Sequence, residues 1–293
     1  MLLAADGSDI NIPTTPENLE KYGTPCFSQE RKQAQLGLGC IYDVLNHVVL
    51  ESDIGPYKFI EGKTAECQAY KLRETIGNMY KYMLLMDRGY SSTPMFMRFI
   101  DKGIYFAARL SSTMYKAEQK SMKSDDEDVE ILLTRDRLAN HAGTDNEAIM
   151  NSRDRFQLRF VRAWLDKDNS EIIATNLLRE EFPAECFKEI YHMRWGIETS
   201  YETLKSKLQL ENFTGTKPVL IEQDILSSIY VYNLAENIAR EVEIEQAEKL
   251  NTKYKHQMRI NRNVCIGILK KDLIYIIMKT DMEKKKTFVS KAV

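Results

Sequence analysis

The sequence predicts a mixed α/β protein. Short apolar runs that are typical of buried strands occur at residues 2–6, 80–87 and 104–110. Helical patterns separate the later runs. Two of the runs end in an acid, Asp6 and Asp87, and turn-forming residues follow each acid. Reactive groups in mixed α/β sheets commonly lie just beyond strand ends, so these two aspartates are the first candidate site residues.

The predicted order of elements over the first 110 residues is β-β-β-α-β-α-β. After the strand at 2–6, the stretch AQLGLGCIYDVLNHVVLESD contains two strand-like runs around a turn near Asn46. The remaining elements are a helix over 65–78, a strand over 80–87, a helix in STPMFMRFIDKG with Pro94 near its start, and a strand over 104–110.

Residues 111–180 predict a β-rich insertion. Its acidic run SDDEDVE predicts a solvated loop, because charge runs of this sort are usually solvent-facing and seldom hold a metal. The alternation in RFQLRFVRAWLDKDNSEIIATNLL, around the turn sequence DKDN, predicts a long β-hairpin. A second long helix is expected in VLIEQDILSSIYVYNLAENIAREVEIEQAEK.

The stretch EIYHMRWGIETSYETLKSKL, residues 189–208, predicts a helix with two distinct sides. At about 100° per residue, Tyr191, Arg194, Glu198 and Lys205 share one narrow face. A separate apolar stripe can bury against a core and consists of Ile190, Met193, Ile197, Tyr201, Leu204 and Leu208. We therefore expect the helix to dock by one side and to carry chemistry on the other.

Composition bounds the class of protein. A chain of 293 residues with 43% apolar content can bury one large core or two ordinary ones. The N-terminus MLLAADGSDI lacks a basic leader and a long apolar segment, so neither export nor a membrane span is expected. Five cysteines without a CxxC pattern favour buried or incidental thiols over a disulfide or zinc framework. The expected compartment is the cytoplasm.

The net charge of −2 averages over an uneven distribution. Residues 251–293 contain eleven Lys or Arg and three acids, which gives this segment +8 and leaves −10 for the first 250 residues. Two interpretations remain open. The segment is either a solvated basic tail or an arm that contacts nucleic-acid phosphates.

Asp6, Asp87 and Glu198 form a combination with chemical meaning, although each acid alone is weak evidence. Two aspartates at strand ends and a glutamate on a later helix can hold two divalent cations about 3.5–4 Å apart, the arrangement used for in-line phosphoryl displacement. Hard carboxylate oxygens suit Mg²⁺ or Mn²⁺.

The helix 189–208 also carries a family signature. Tyr191, Arg194, Glu198 and Lys205 match Y-x2-R-x3-E-x6-K at every spacing. Further matching stretches are TNLL upstream of the signature, MDRGY around the second aspartate and ADGS around the first. The chain resembles the DDE transposases of bacterial insertion sequences, in the group that this signature defines. The resemblance covers most of residues 1–250.

The resemblance implies an RNase H-like mixed sheet that is flanked by helices and interrupted by a β-rich insertion. It implies that Asp6, Asp87 and Glu198 bind two Mg²⁺ or Mn²⁺ ions and cut and join DNA. The corresponding division of the chain is 1–110 and 181–250 for the two parts of the RNase H-like core, 111–180 for the insertion and 251–293 for a basic tail.

The resemblance gives the polar helix face a role in binding DNA. Arg194 suits a bidentate phosphate contact, Lys205 a mobile point charge, and Tyr191 a hydrogen bond or a stacking contact. Trp195 flanks this face and either stacks on an unpaired base or is a half-buried residue that anchors the helix. The partners implied are transposon ends, target DNA and further copies of the chain in a synaptic complex.

The chain departs from the family pattern at its N-terminus, where five residues precede Asp6. Family members usually carry a DNA-binding domain ahead of the first aspartate, so we expect that domain to be absent here. Three alternatives follow: an active transposase fragment, a truncated remnant that binds DNA or a full-length copy without transposing, and an unrelated RNase H-like nuclease.

Overall fold

The computed structural model describes residues 1–25, 32–57, 61–77, 79–250 and 260–278. Its central element is an eight-stranded sheet in the order β3-β2-β1-β4-β5-β8-β7-β6. The strands are β1 (Leu2–Asn11), β2 (Gln35–Asp43), β3 (Val48–Pro56), β4 (Met83–Met86), β5 (Tyr105–Arg109), β6 (Asp126–Leu132), β7 (Arg155–Trp164) and β8 (Ser170–Thr175).

The sheet is mixed. Strands β1, β4 and β5 run parallel to one another, and every other neighbouring pair is antiparallel. The helices are α1 (Pro16–Lys21), α2 (Glu61–Ile76), α3 (Thr93–Lys102), α4 (Lys116–Ser121), α5 (Arg135–Ala139), α6 (Glu147–Met150), α7 (Phe187–His192), α8 (Trp195–Ser206), α9 (Pro218–Leu250) and α10 (Arg262–Met278).

Alternate residues of each strand bury against opposite faces of the sheet, as the two-residue period of a strand requires. Leu2 and Ala4 of β1 belong to the core that α7, α8, α9 and α10 cover, whereas Leu3 and Ala5 belong to the core beneath α2 and α3. The mixed α/β class, with a mixed sheet flanked by helices, is confirmed, and the RNase H-like assignment stays a prediction.

Strand β1 is longer than predicted. It continues through Asp6-Gly7 to Asn11, although the sequence suggested a turn there. The reason is its antiparallel partner β2, which pairs with β1 over Leu3 to Asn11 and so satisfies the backbone beyond Asp6. Tertiary pairing overrides the local turn preference of Asp-Gly.

The single helix predicted over 189–208 is two helices. Successive hydrogen bonds of the i→i+3 type, from Arg194 to Tyr191, Gly196 to Met193 and Ile197 to Arg194, tighten the chain between α7 and α8. The apolar stripe is nevertheless confirmed, because Ile197, Tyr201, Leu204 and Leu208 are buried and Ile190 and Met193 pack against the same core.

The acidic run SDDEDVE is not a solvated loop, because most of it forms β6. Its acids face complementary arginines: Asp126 pairs with the buried Arg159 of β7 at 2.7 Å, and Glu130 pairs with Arg155 at 3.1 Å.

The long hairpin of β7 and β8 around Asp166–Asn169 is confirmed. The three strands of 111–180 extend the central sheet through the pairing of β8 with β5. The division at residues 110, 180 and 250 stays a prediction.

The basic segment 251–293 is partly helical. Residues 262–278 form α10, whose Cys265, Ile266 and Leu269 are buried in the core on the α9 side. A wholly solvated tail is therefore wrong for this part. Residues 251–259 and 279–293 lie outside the described residues. The expectation that the segment contacts phosphates is therefore untested there.

None of the helices in the part of the chain that the structure describes combines the length and the apolar character needed to span a bilayer. Four of the five cysteines lie in that part and carry free thiols: Cys40, Cys67, Cys186 and Cys265.

Candidate active site

Asp6 and Asp87 lie side by side at the end of a parallel strand pair. The pairing of β1 with β4 ends at Ala5 and Met86, and the two aspartates are the next residue on each strand. By strand alternation both side chains point to the face that α8 covers. The sequence therefore predicted this juxtaposition correctly, although Asp6 lies within a strand and not at its end.

Arg109 occupies the equivalent position on the next strand, β5, because Met86 of β4 pairs with Ala108. Its guanidinium bonds Asp87 Oδ1 through Nε at 2.8 Å and Nη2 at 2.6 Å, and its Nη1 bonds Glu171 of β8. Sequence reasoning missed Arg109, although the strand-end criterion that selected Asp87 also applies to it. Glu171 left no comparable signal.

The environment of Asp87 favours its charged form. Burial acts to raise the pKa of Asp87, but the backbone N–H of Arg88 and the charges of Arg109 and Arg194 outweigh burial and hold this pKa below its ordinary value. A carboxylate that stays charged at neutral pH suits a cation-binding role.

Tyr191 and Arg194 are buried beside Asp87, not displayed on an open helix face. The Tyr191 hydroxyl donates to Asp87 Oδ1 at 3.3 Å, and Arg194 is 3% exposed between the Tyr191 and Trp195 rings. The two residues flank the tight turn between the helices: Tyr191 is in the last turn of α7, and Arg194 directly precedes α8. Arg194 Nε is buried without a hydrogen-bond partner among the described residues.

Glu198 lies in the first turn of α8, and its carboxylate accepts a hydrogen bond from Arg194 Nη2 at 2.8 Å. Among the residues that the structure describes, no three Asp, Glu, His or Cys side chains are arranged so that they could hold a metal ion. Our expectation that the carboxylates of Asp6, Asp87 and Glu198 nearly touch is therefore wrong for this arrangement. The physical reason is that arginines hold two of the three carboxylates.

Two side chains of α8 bond to the backbone of β1. The Tyr201 hydroxyl donates to the Asp6 carbonyl at 2.8 Å, with the Leu38 carbonyl at 3.2 Å, and Lys205 Nζ donates to the Asp9 carbonyl at 2.8 Å. The sequence assigned Tyr201 to the apolar stripe and gave no signal for its hydroxyl. The Lys205 ammonium is bound to β1 in this structure, and its expected role as a mobile charge toward DNA stays a prediction.

Trp195 is 54% exposed and its ring packs on the Arg194 guanidinium, so the ring is half-buried and both interpretations of this residue stay open. It lies at the rim of a cleft of about 510 Å³ next to Asp87, whose lining includes Arg109, Glu171, Lys188, Tyr191 and Arg194. The cleft combines an exposed aromatic ring with cationic side chains, as sites for single-stranded nucleic acid do, but Glu171, Glu185 and Glu189 also line it.

Asp6, Asp87 and Glu198 fit divalent cations in donor chemistry, although their carboxylates are not gathered into a metal-binding cluster in this structure. All three supply hard carboxylate oxygens, the two aspartates are neighbours by strand register, and Glu198 is on the helix that covers them. Arginine already compensates Asp87 and Glu198 electrostatically. A divalent cation would replace that compensation with a stronger one.

The chain matches the family model for the transposase DDE domain over residues 1–234, and it therefore belongs to this family. Membership excludes the alternative of an unrelated RNase H-like nuclease. The match includes the positions of all three acids and of the Tyr191 to Lys205 signature.

A curated relative, transposase InsG for insertion sequence element IS4 from Escherichia coli strain K12, is 23% identical over 272 residues. The match covers 89% of this chain and 56% of the relative, so the chain spans about half of the relative's length.

Two solved structures show weak likeness. The first is the piggyBac transposase synaptic complex with hairpin DNA. The match covers 100% of this chain and 57% of the piggyBac chain, with 9% identity and a TM-score of 0.48. The NurA nuclease from Sulfolobus solfataricus matches 87% of this chain and 85% of its own, with 11% identity and a TM-score of 0.30. Scores below 0.5 establish nothing about function.

Proposed function

We propose that this chain is the catalytic domain of a DDE transposase that cuts DNA at the ends of an insertion sequence and joins the ends to target DNA, by cut-and-paste transposition. The observation that carries the proposal is the neighbouring position of Asp6 and Asp87 on parallel strands, beneath the helix that carries Glu198. Family membership supports the same chemistry.

Asp6, Asp87 and Glu198 would hold two Mg²⁺ or Mn²⁺ ions. When bound, such ions activate the attacking water or 3′-hydroxyl and stabilise the leaving oxygen. The contribution of the protein is placement: the register of β1 and β4 fixes the two aspartates relative to each other, and the packing of α8 brings Glu198 to the same face.

Arg194 is the residue best suited to receive a DNA phosphate. Its guanidinium is buried beside Asp87 and Glu198, and the Nε proton has no partner among the described residues. A buried donor without a partner costs about 1–3 kcal/mol, and an incoming phosphate oxygen would remove that cost. Tyr191 would help to fix the Asp87 side chain beside Arg194 through its hydrogen bond to Asp87 Oδ1.

Trp195 and the cleft beside it would receive an unpaired base next to the cut site. The exposed ring at the rim supports this role, because stacking on an aromatic face tolerates any base. Lys205 would lie near the DNA in this proposal. Its hydrogen bond to the Asp9 carbonyl favours a role in holding α8 against β1. Synapsis of two DNA ends would require self-association of the chain.

Nicking of a supercoiled plasmid that carries the element's terminal repeats tests the proposal in Mg²⁺ and in Mn²⁺. The wild-type chain should nick it, and Glu198→Gln should abolish nicking while the fold is retained, because the amide keeps the shape and loses the charge. Glu202→Gln, an exposed acid one turn further along α8, is the matched control and should nick normally. Normal nicking by Glu198→Gln would remove Glu198 from the site.

Binding of the same repeats without nicking in either metal would favour the alternative of a non-transposing protein that binds DNA. Recognition of the correct ends belongs to the whole protein, and this chain spans about half of its curated relative.

A further inference from the structure

Helix α8 is fixed to β1 by two hydrogen bonds on the side that carries Glu198. Glu198, Tyr201 and Lys205 follow at intervals of three and four residues, so Tyr201, at the edge of the apolar stripe, is adjacent to both on the helix surface. We propose that Tyr201 and Lys205 are positioning residues, which set the place of Glu198 relative to the strand that carries Asp6. This inference rests on the proposed function, in which Glu198 binds a metal.

The Tyr201 hydrogen bond links the backbone of Asp6 to the helical turn that follows Glu198. Its acceptor is the carbonyl of Asp6 itself, and its own position is one turn beyond Glu198. Tyr201 is 5% exposed, so water does not compete freely for the hydroxyl. A shift of α8 along its axis would break this bond first.

Apolar packing alone would leave that shift weakly opposed. Ile197 and Leu204 of α8 are fully buried, but contacts between apolar side chains carry little directional preference. The N-terminal turn of α8 lies close to β2, because a Cβ added at Gly196 would be 3.4 Å from the Tyr42 ring. Directional bonds at Tyr201 and Lys205 complete the restraint toward the C-terminal end of the helix.

A metal site demands this accuracy. Oxygen ligands of Mg²⁺ lie at about 2.0–2.1 Å with a tolerance of about 0.2 Å. One residue of axial slip in a helix is about 1.5 Å, well beyond that tolerance. Loss of either bond should therefore weaken metal binding through Glu198 even when the protein remains folded.

The test is the affinity of the DNA-free protein for Mn²⁺, followed by the electron paramagnetic resonance signal of free Mn²⁺ well below the unfolding midpoint. Tyr201→Phe and Lys205→Met should each weaken binding by roughly three- to tenfold, the scale of coupling between residues in contact. For Lys205→Met, the direction of the change in Mn²⁺ affinity separates positioning from electrostatics. Removal of a nearby positive charge would by itself tighten binding of a cation, whereas loss of positioning weakens it.

Matched controls separate positioning from general stability. Tyr82→Phe removes another buried tyrosine hydroxyl that donates to a backbone carbonyl, Ala69 at 2.8 Å, on the opposite face of the sheet. Lys207→Met removes an exposed lysine two residues from Lys205. Both should leave the Mn²⁺ affinity within about twofold, whatever they do to the midpoint of thermal unfolding.

A double-mutant cycle with Glu198→Gln decides whether Tyr201 acts through Glu198. If it does, Tyr201→Phe has no further effect on Mn²⁺ affinity in the Glu198→Gln background. An equal loss in both backgrounds, or no loss in either while Glu198→Gln itself weakens binding, overturns the inference. If Glu198→Gln leaves the affinity unchanged, the proposed function fails first.

Discussion

Asp6 and Asp87 are the first residues beyond the last paired positions of β1 and β4, so the two acids are neighbours by register on parallel strands. Like charges on neighbouring residues repel unless a cation compensates them. In this structure Arg109 compensates Asp87. The predictions below concern what happens when the compensating groups are changed.

Replacement of Arg109 by Gln should tighten binding of Mn²⁺ to the DNA-free protein. The guanidinium contacts Asp87 through Nε and Nη2 and so competes with any metal for that carboxylate. The expected gain is roughly tenfold, the scale of one close charge partner. Titration of wild type and Arg109→Gln with Mn²⁺ measures it. Equal or weaker binding in the variant would show that Arg109 does not compete with metal.

Replacement of Trp195 by Ala should weaken binding of DNA that has an unpaired base near the cut site. The ring is more than half exposed, so stability should change little. Loss of one stacking contact of about 1–3 kcal/mol corresponds to about five- to 150-fold in the dissociation constant. The other tryptophan, Trp164, is 45% exposed and gives the matched control Trp164→Ala. Equal losses in the two variants would deny Trp195 a specific role.

Arg159→Met should destabilise the insertion strongly. Arg159 is 4% exposed and bonds both carboxylate oxygens of Asp126 and the carbonyl of Phe182. Removal of one partner of a buried pair costs about 3 kcal/mol in the free energy of unfolding. Arg155→Met on the same strand, whose pair with Glu130 is exposed, should cost at most about 1 kcal/mol. Urea unfolding compares them, and similar costs would contradict the structure.

Asp126 should make stability depend on pH in the acid range. Burial acts to raise the pKa of Asp126, but hydrogen bonds and charges from Arg159 and Arg179 hold this pKa below its ordinary value. A lowered pKa contributes stability above the unfolded value of about 3.9, and this stability is lost as pH falls through the folded value. The difference in free energy of unfolding between wild type and Asp126→Asn should therefore be largest near pH 6 and shrink below about pH 4. A constant difference would refute the assignment.

The sequence predicted the parts of the site that depend on local pattern. Strand periodicity located Asp6 and Asp87 near the ends of apolar runs, and spacing placed Glu198 on a polar face beside a buried stripe. The sequence did not predict the break between α7 and α8. The three i→i+3 hydrogen bonds that form it around Arg194 cannot be recognised from the residue pattern.

Partners distant in sequence explain the other differences. Strand β1 continues past Asp6 because β2 pairs with it, and the acidic run forms β6 because β7 supplies arginines opposite its acids. The hydroxyl of Tyr201 reaches a carbonyl 195 residues away. Such contacts depend on the assembled sheet, so neither composition nor periodicity of one segment could predict them.

The most direct measurement is the anomalous scattering of Mn²⁺ in crystals of this chain grown at saturating Mn²⁺. The account predicts anomalous peaks at the carboxylates of Asp6 and Asp87, with Glu198 turned from Arg194 to ligate one of the ions. Crystals in which Mn²⁺ binds elsewhere, or in which Asp87 and Glu198 keep their arginine partners and no peak lies beside Asp6, would contradict it.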